Sequence, residues 1–264
     1  MNLRTVTESP RSAPDSSSPP WSVPLWEHPE WRERFPWLVQ GTTGEGDPAR
    51  PFDLSLYGGS PARDVLLRWS ALREAAGAAR VVHGHQVHGA TVRVQAEGGE
   101  GLHVSPATDG HVTRTPGTLL AISVADCVPV SLVAEDGSAG ALRHAGWRGA
   151  AAGILERGLE MLHGRLFVRA RDLHLHLGPS ICGACYEVGP EVHEGLGLDV
   201  PAGPTCVDLR AVLARRAVAA GIPEERITAS SWCTRCGDGA RVPFFSHRGG
   251  RAERQMAVLG IAGA

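Results

Sequence analysis

Three short islands in the 264-residue chain carry the side chains best suited to chemistry: Gln86-Val87-His88-Gly89, Ala125-Asp126-Cys127 and His144-Ala145-Gly146-Trp147-Arg148-Gly149. They supply one thiolate and two imidazoles. Such a set suits a single borderline-soft metal ion, zinc above all, and leaves a coordination position open. Open sites of this kind do chemistry, because a metal lowers the pKa of a coordinated water to about 7. Each residue also has a plainer reading. A cysteine between apolar strands is often a small core residue, and a lone histidine is often a hydrogen-bonded structural one.

The neighbouring residues suggest supporting roles. Asp126 adjoins Cys127 and could act as acid, base or orienting partner of a ligand. Gln86 either contacts substrate through its amide or caps local backbone. Asp109 lies in a Thr-Asp-Gly turn and is either a substrate contact or an ordinary turn aspartate. Arg148 stands where a strand runs into a helix expected over 150–163. Unpaired N–H groups at that helix start, with Arg148, would form an oxyanion or phosphate site beside the metal. The alternative is that Arg148 pairs with a surface carboxylate.

Composition narrows the classes. All 26 basic residues are arginine. A P-loop lysine and a Schiff-base amine are therefore excluded, and arginine, which binds oxyanions bidentately, must hold any phosphate. A net charge of −2 favours neither nucleic acid nor an acidic membrane as partner. No apolar run is long enough to span a bilayer, and the N-terminus lacks a charged-then-apolar signal pattern. A cytoplasmic protein, monomeric or weakly dimeric, is the expectation. The six cysteines, Cys127, Cys182, Cys185, Cys206, Cys233 and Cys236, then point to metal, catalysis or packing rather than disulfides.

The elements that must position these residues are read from periodicity. Residues 1–24 are rich in Ser, Pro and Thr and read as a disordered tail; residues 25–264 form the catalytic domain. A short helix or turn is expected over 26–37. Helical spacing is found over 62–76, ended by Gly77, and from an Asp208 N-cap to about 220. Strands are expected over 90–94, 119–124, 128–133, 139–142, 173–177, near 227 and over 256–261. Helices and strands mix without strict alternation, which favours an α+β fold with mixed sheets.

In order along the chain, Gln86-Val-His-Gly, Ala125-Asp-Cys-Val-Pro, His144-Ala-Gly-Trp-Arg-Gly, Leu177-Gly-Pro-Ser-Ile181, Cys185-Tyr-Glu-Val188 and Phe245-Ser-His-Arg248 resemble the YfiH/laccase-domain family. Its members are known both as multicopper polyphenol oxidases and as purine nucleoside phosphorylases. The resemblance spans roughly residues 37–261. It implies a single-domain α/β/β/α sandwich of mixed sheets, related to cysteine-hydrolase-like toxins. It also implies that His88, Cys127 and His144 bind one metal, usually zinc, with copper the alternative. The implied substrates are adenosine, inosine, guanosine and methylthioadenosine with inorganic phosphate, adenosine deamination being a second activity. Cys127, Asp126, Arg148 and Gln86 are then expected in catalysis, and Arg148, Asp109, Arg248 and Ser246 on substrate. The chain departs from the family at Thr42-Thr43-Gly44, where Thr-Arg is common, at Arg68-Trp69, where Asn-Arg is common, and at His247, where tyrosine is usual.

Two other enzyme classes compete. A four-copper oxidase needs about ten histidines in paired motifs, whereas this chain has only His83-Gly-His85 and His174-Leu-His176, readable as alternating strand residues. A Cys–His hydrolase acting on a peptidoglycan precursor would use Cys127 as nucleophile and His144 as base. A structural Cys₄ site from Cys182-x-x-Cys185 and Cys233-x-x-Cys236 is disfavoured, since the pairs lie about fifty residues apart against the usual 15–20.

Overall fold

Alternating burial organises the molecule. In the strand Thr118–Val124, Leu119 and Ala121 pack to one side, while Leu120, Ile122 and Val124 pack to the other. Strands apolar on both faces must be covered on both faces, and a computed structural model supplies the covers. It describes residues 3–11, 23–96, 98–239 and 241–263.

Two seven-stranded mixed sheets stack face to face. The first runs, edge to edge, through Arg4–Val6, Ile227–Ser230, Leu173–Leu177, Val128–Ala134, Gly140–Ala145, Gly110–Thr113 and Val92–Gln95. The second runs through Ser9–Pro10, Leu25–Glu27, Leu38–Thr43, Gln255–Ile261, Thr118–Val124, Arg80–Gly84 and Gly101–Ser105. Leu142 and Val133 of the first sheet meet Leu120, Ile122 and Leu259 of the second in the central layer, joined by Trp31 and Phe35 of helix α1 (Pro29–Arg34).

Helix α2 (Ala62–Ala75) covers the outer face of the second sheet with Val65, Trp69 and Leu72. The outer face of the first sheet is covered by α4 (Ile154–Leu166) and α6 (Leu209–Ala219), with the short α3 (Trp147–Ala151) and α5 (Pro190–Leu196) beside them. The result is the expected single-domain α/β/β/α sandwich. Asp208 caps α6 as its sequence suggests, accepting from the Ala211 N–H at 3.1 Å.

Three expectations need correction. The helix expected over 150–163 is two helices, α3 and α4, separated by Gly153 in the left-handed conformation (φ 81°); only glycine adopts that break without strain. Part of the tail expected to be disordered is built into the sheets: Arg4–Val6 pairs in parallel with Thr228–Ser230, and Ser9–Pro10 pairs with Trp26–Glu27. The anchor is Glu8, buried and bound to His176 and Ser230. Residues 12–22 of that tail lie outside the described residues. The 26–37 segment opens as a strand, Leu25–Glu27, before α1 begins.

Candidate metal centre and cleft

The site forms where the chain passes from one sheet to the other. Residues 125–127 join the end of Thr118–Val124 to the start of Val128–Ala134, which places Cys127 at the ends of two interior strands, one from each sheet. His144 is on the adjacent strand, with its Cα opposite Pro129. His88 reaches in from the loop after Arg80–Gly84. The donor atoms of His88, Cys127 and His144 all lie within 4.8 Å of one another. Zinc bonds of about 2.0–2.3 Å at tetrahedral angles separate donors by about 3.5 Å, so small side-chain adjustments let these three residues hold the ion. The donor chemistry and the spacing both fit.

The surrounding groups are arranged to keep that geometry. The buried Asp109 carboxylate accepts from the backbone N–H groups of Val87, His88 and Gly89 at 3.2, 3.0 and 3.0 Å. It also binds His144 Nδ1 at 3.0 Å. A carboxylate only accepts, so Nδ1 carries the proton and Nε2 faces the site. Burial would raise the Asp109 pKa, but the bonds from His144 and from the loop N–H groups outweigh it and hold the carboxyl below its usual range. The Asp109 carboxylate thus holds the His88 loop and the His144 ring in place.

Backbone strain is concentrated here as well. His88 (φ 59°) and Asp126 (φ 89°) are left-handed non-glycine residues, a conformation that persists only where surrounding contacts enforce it. Asp126 accepts from Thr234 Oγ1 at 2.6 Å and from the Arg248 N–H at 2.7 Å, and its own carbonyl accepts from the Ile181 N–H. It thus ties three loops to the Cys127 turn. Gly146 leaves room for the sulfur, since a Cβ there would sit 3.0 Å from Cys127 Sγ.

Without metal, burial would push the Cys127 thiol up, yet the imidazoles of His144 and His88 bring it down to about 6. Burial likewise opposes charge on His144, but the Cys127 thiolate and Asp109 raise it to about 9. In the metal-free protein both shifts favour a thiolate–imidazolium couple.

The three donors open onto a cleft of about 1100 Å³ that is lined by Asp126, Arg148, Tyr186, His247 and Arg248, among others. The Arg148 guanidinium lies 4.5 Å from the Trp147 ring centroid. Among the described residues no carboxylate pairs with it, so the surface ion pair weighed for it is absent there. The helix that begins beside it, α3, has only five residues, so the cationic group presented here is the guanidinium and not a long helix start. Arg248 packs over Tyr186 and donates to the Glu187 carbonyl.

Two other expected residues spend their side-chain polar atoms on backbone groups. Both amide atoms of Gln86 bond the Ser123 backbone, Nε2 donating to the carbonyl at 2.8 Å and Oε1 accepting from the N–H at 2.6 Å. This is the backbone tie weighed for it, made by a residue that also lines the cleft. Ser246 is buried, and its hydroxyl accepts from the Gly249 N–H, which shapes the Arg248 turn. The His174-Leu-His176 pair is structural too. His174 binds Glu135, and His176 binds Glu8 and Thr228.

Sequence reasoning missed Tyr57, Tyr186 and His85 as cleft residues. Tyr57 and His85 meet at a tilt, with ring centroids 5.0 Å apart and planes 56° apart. Burial, with the Cys127 charge, pushes the Tyr186 phenol up to about 12, so it remains a neutral donor. The Cys-Tyr-Glu-Val motif was the available signal for Tyr186; Tyr57 lies in a loop with no periodic signal. That loop is held by Arg68 and Trp69, whose side chains donate to the carbonyls of Asp53 and Leu54.

Comparison with known proteins agrees with this architecture. The family model described as multi-copper polyphenol oxidoreductase laccase matches residues 40–262. The chain belongs to this YfiH/laccase-domain family. It is 32% identical over 239 residues to the purine nucleoside phosphorylase YlmD of Geobacillus stearothermophilus, covering 81% of this chain and 86% of that one. It is 36% identical over 151 residues to the adenosine deaminase RL5 of an unknown prokaryotic organism, covering 53% and 56%. The crystal structure of YlmD from Geobacillus stearothermophilus superposes with a TM-score of 0.81 at 28% identity, covering 96% of this chain and all of that one. Bacillus licheniformis YfiH gives 0.81 at 26% identity, covering 90% and 96%. Relatives of this similarity support an enzyme of the family.

Proposed function

We propose that this protein is a zinc-dependent purine nucleoside phosphorylase with adenosine deamination as a second activity. The observation that carries the reading is one donor set, His88, Cys127 and His144, opening onto a cleft that also presents an arginine without a carboxylate partner among the described residues. Zinc, when bound, supplies a Lewis acid that lowers the pKa of water or polarises a substrate atom. Copper is the alternative ion.

In phosphorolysis a phosphate oxygen forms a bond to ribosyl C1′ while the C1′–N9 bond breaks. The electron pair goes to the purine, which takes up a proton. Arg148 and Arg248 bring cationic guanidinium groups to the cleft, and such groups hold and neutralise the anionic nucleophile. The Tyr57–His85 pair offers an aromatic surface for the base, and Tyr186 a neutral hydroxyl donor. Asp126 keeps the Cys127 turn in register. This is consistent with relatives named as phosphorylases and as a deaminase.

The test is turnover of adenosine with and without phosphate, alongside metal analysis. Cys127→Ala, His88→Ala or His144→Ala is expected to abolish turnover while the domain stays folded; full activity in Cys127→Ala would end the proposal. Arg148→Ala is expected to raise the KM for phosphate more than that for nucleoside, on the order of tenfold for a lost charge-assisted contact. An unchanged phosphate KM counts against the anion role.

The thiolate–imidazolium couple favours one second reading, a Cys–His hydrolase acting on a peptidoglycan precursor amide. Alkylation separates the two. A ligand thiolate is protected by bound zinc, whereas a nucleophile reacts with the metal content unchanged.

A further inference from the structure

A second side-chain cluster lies outside this centre. The sulfurs of Cys182, Cys185, Cys233 and Cys236 all fall within 4.8 Å of one another, and no disulfide joins any of them. The Sγ atoms of Cys182 and Cys236 are 3.9 Å apart. Four zinc–sulfur bonds of about 2.3 Å at tetrahedral angles place sulfurs about 3.8 Å from each other. The observed separation is that of a tetrahedron edge.

The backbone is shaped for thiolates. Cys233 Sγ accepts three backbone N–H groups, from Cys182, Arg235 and Cys236, at 3.3, 3.4 and 3.4 Å. Such donors are typical of metal-bound sulfur, whose charge they share. Each pair sits in a tight turn. Cys185 N–H bonds the Cys182 carbonyl, and Gly237 N–H bonds the Cys233 carbonyl. Gly237 is left-handed (φ 65°), and a Cβ there would lie 1.8 Å from the Arg241 carbonyl oxygen, so the Cys-x-x-Cys-Gly turn requires glycine. The fifty-residue gap that disfavoured this site is closed by the parallel bridge between Ser180 and Cys233.

We propose that these four cysteines form a second, structural zinc site, distinct from the His88–Cys127–His144 centre. It clips together two irregular connections that lie about fifty residues apart in the chain. One carries Tyr186, directly after Cys185. The other carries Thr234, directly after Cys233, whose hydroxyl binds Asp126. The clip therefore fixes part of the cleft wall from outside. The site is closed, with four protein ligands, and contributes folding energy rather than chemistry.

The test counts metal on the full chain purified without chelator. Wild type is expected to hold two zinc ions and the double variant H88A/H144A one. Cobalt substituted into H88A/H144A is expected to give the intense charge-transfer absorption of several thiolates. The variant C182S/C236S should retain one ion at the other centre, and C206S, at the cysteine outside both clusters, should retain two. Should C182S/C236S fail to fold, H88A/H144A alone decides. An H88A/H144A protein that takes up no zinc, or whose mass reveals a Cys182–Cys236 disulfide, overturns the proposal. Because H88A/H144A lacks the first centre, failure of the phosphorylase reading leaves this outcome untouched.

Discussion

At the scale of single residues, Asp109 does the most with one side chain. It orders the His88 loop through three N–H groups and fixes the His144 tautomer through Nδ1. Asp109→Asn keeps the shape and removes the charge. Metal affinity is expected to fall 10–100-fold, the usual cost of losing an orienting partner, as read by competition with a chromophoric chelator. An unchanged affinity would show that the two histidines position themselves. Gly146→Ala acts on the same centre by crowding, since its Cβ would press on Cys127 Sγ at 3.0 Å and on His88 Cδ2 at 3.3 Å. Weaker metal binding with little change in unfolding midpoint is the expected result.

At the scale of elements, α4 illustrates how a helix is fitted to a sheet by one missing side chain. Arg143 is fully buried on its strand, and it lies under Gly158 of α4. A Cβ at 158 would lie 1.5 Å from Arg143 Nε. Gly158→Ala forces α4 outward or Arg143 out of its rotamer. Although alanine favours helix, overpacking is expected to dominate and to cost about 1–3 kcal/mol, seen as a lower denaturant midpoint with zinc content retained. Elements were also where periodicity was most informative. α2 follows a 3.6-residue pattern because one face meets a core, whereas Thr118–Val124, Val128–Ala134 and Leu173–Leu177 are buried on both faces and read as short apolar runs. Arg80–Gly84, Gly101–Ser105 and Gly110–Thr113 escaped notice, being short and interrupted by glycine and histidine.

At the scale of the molecule, three buried histidines set the acid limb of stability. Burial lowers His28 to about 2, with His176 and Arg4 adding to the effect. Burial lowers His111 to about 3, with His83 and Arg93 adding. Burial lowers His83 to about 4, partly offset by its bond to the Ala121 carbonyl. All three are neutral when folded and titrate near 6.5 when unfolded. As pH falls below 6.5 the unfolded chain takes up protons that the folded chain refuses, so stability drops, each group contributing a slope of about 1.4 kcal/mol per pH unit down to its folded pKa. His144 works in the opposite sense in the metal-free protein. Its raised pKa gives stability that is fully present below 6.5 and lost as pH rises through about 9. Cys127, lowered to about 6 in the fold, contributes the opposite slope over nearly the same range, so urea unfolding of chelator-treated protein is expected to show a plateau above pH 6.5 and a steep acid loss below it. A flat profile from pH 7 to 5 would contradict the burial of these rings.

The chain by itself determined the kinds of donor, their motif order and the element types, because those depend on side-chain chemistry and on local periods of 2 and 3.6. His88, Cys127 and His144 were legible as a set on that basis. Gln86, Asp109 and Ser246 were not. Their residue types permit several partners, and only the folded sheets put Ser123, His144 and Gly249 within reach. The four distant cysteines were the strongest case. Their spacing along the chain argued against a common site, and strand register, which the linear order does not encode, brought Ser180 beside Cys233 and closed the gap.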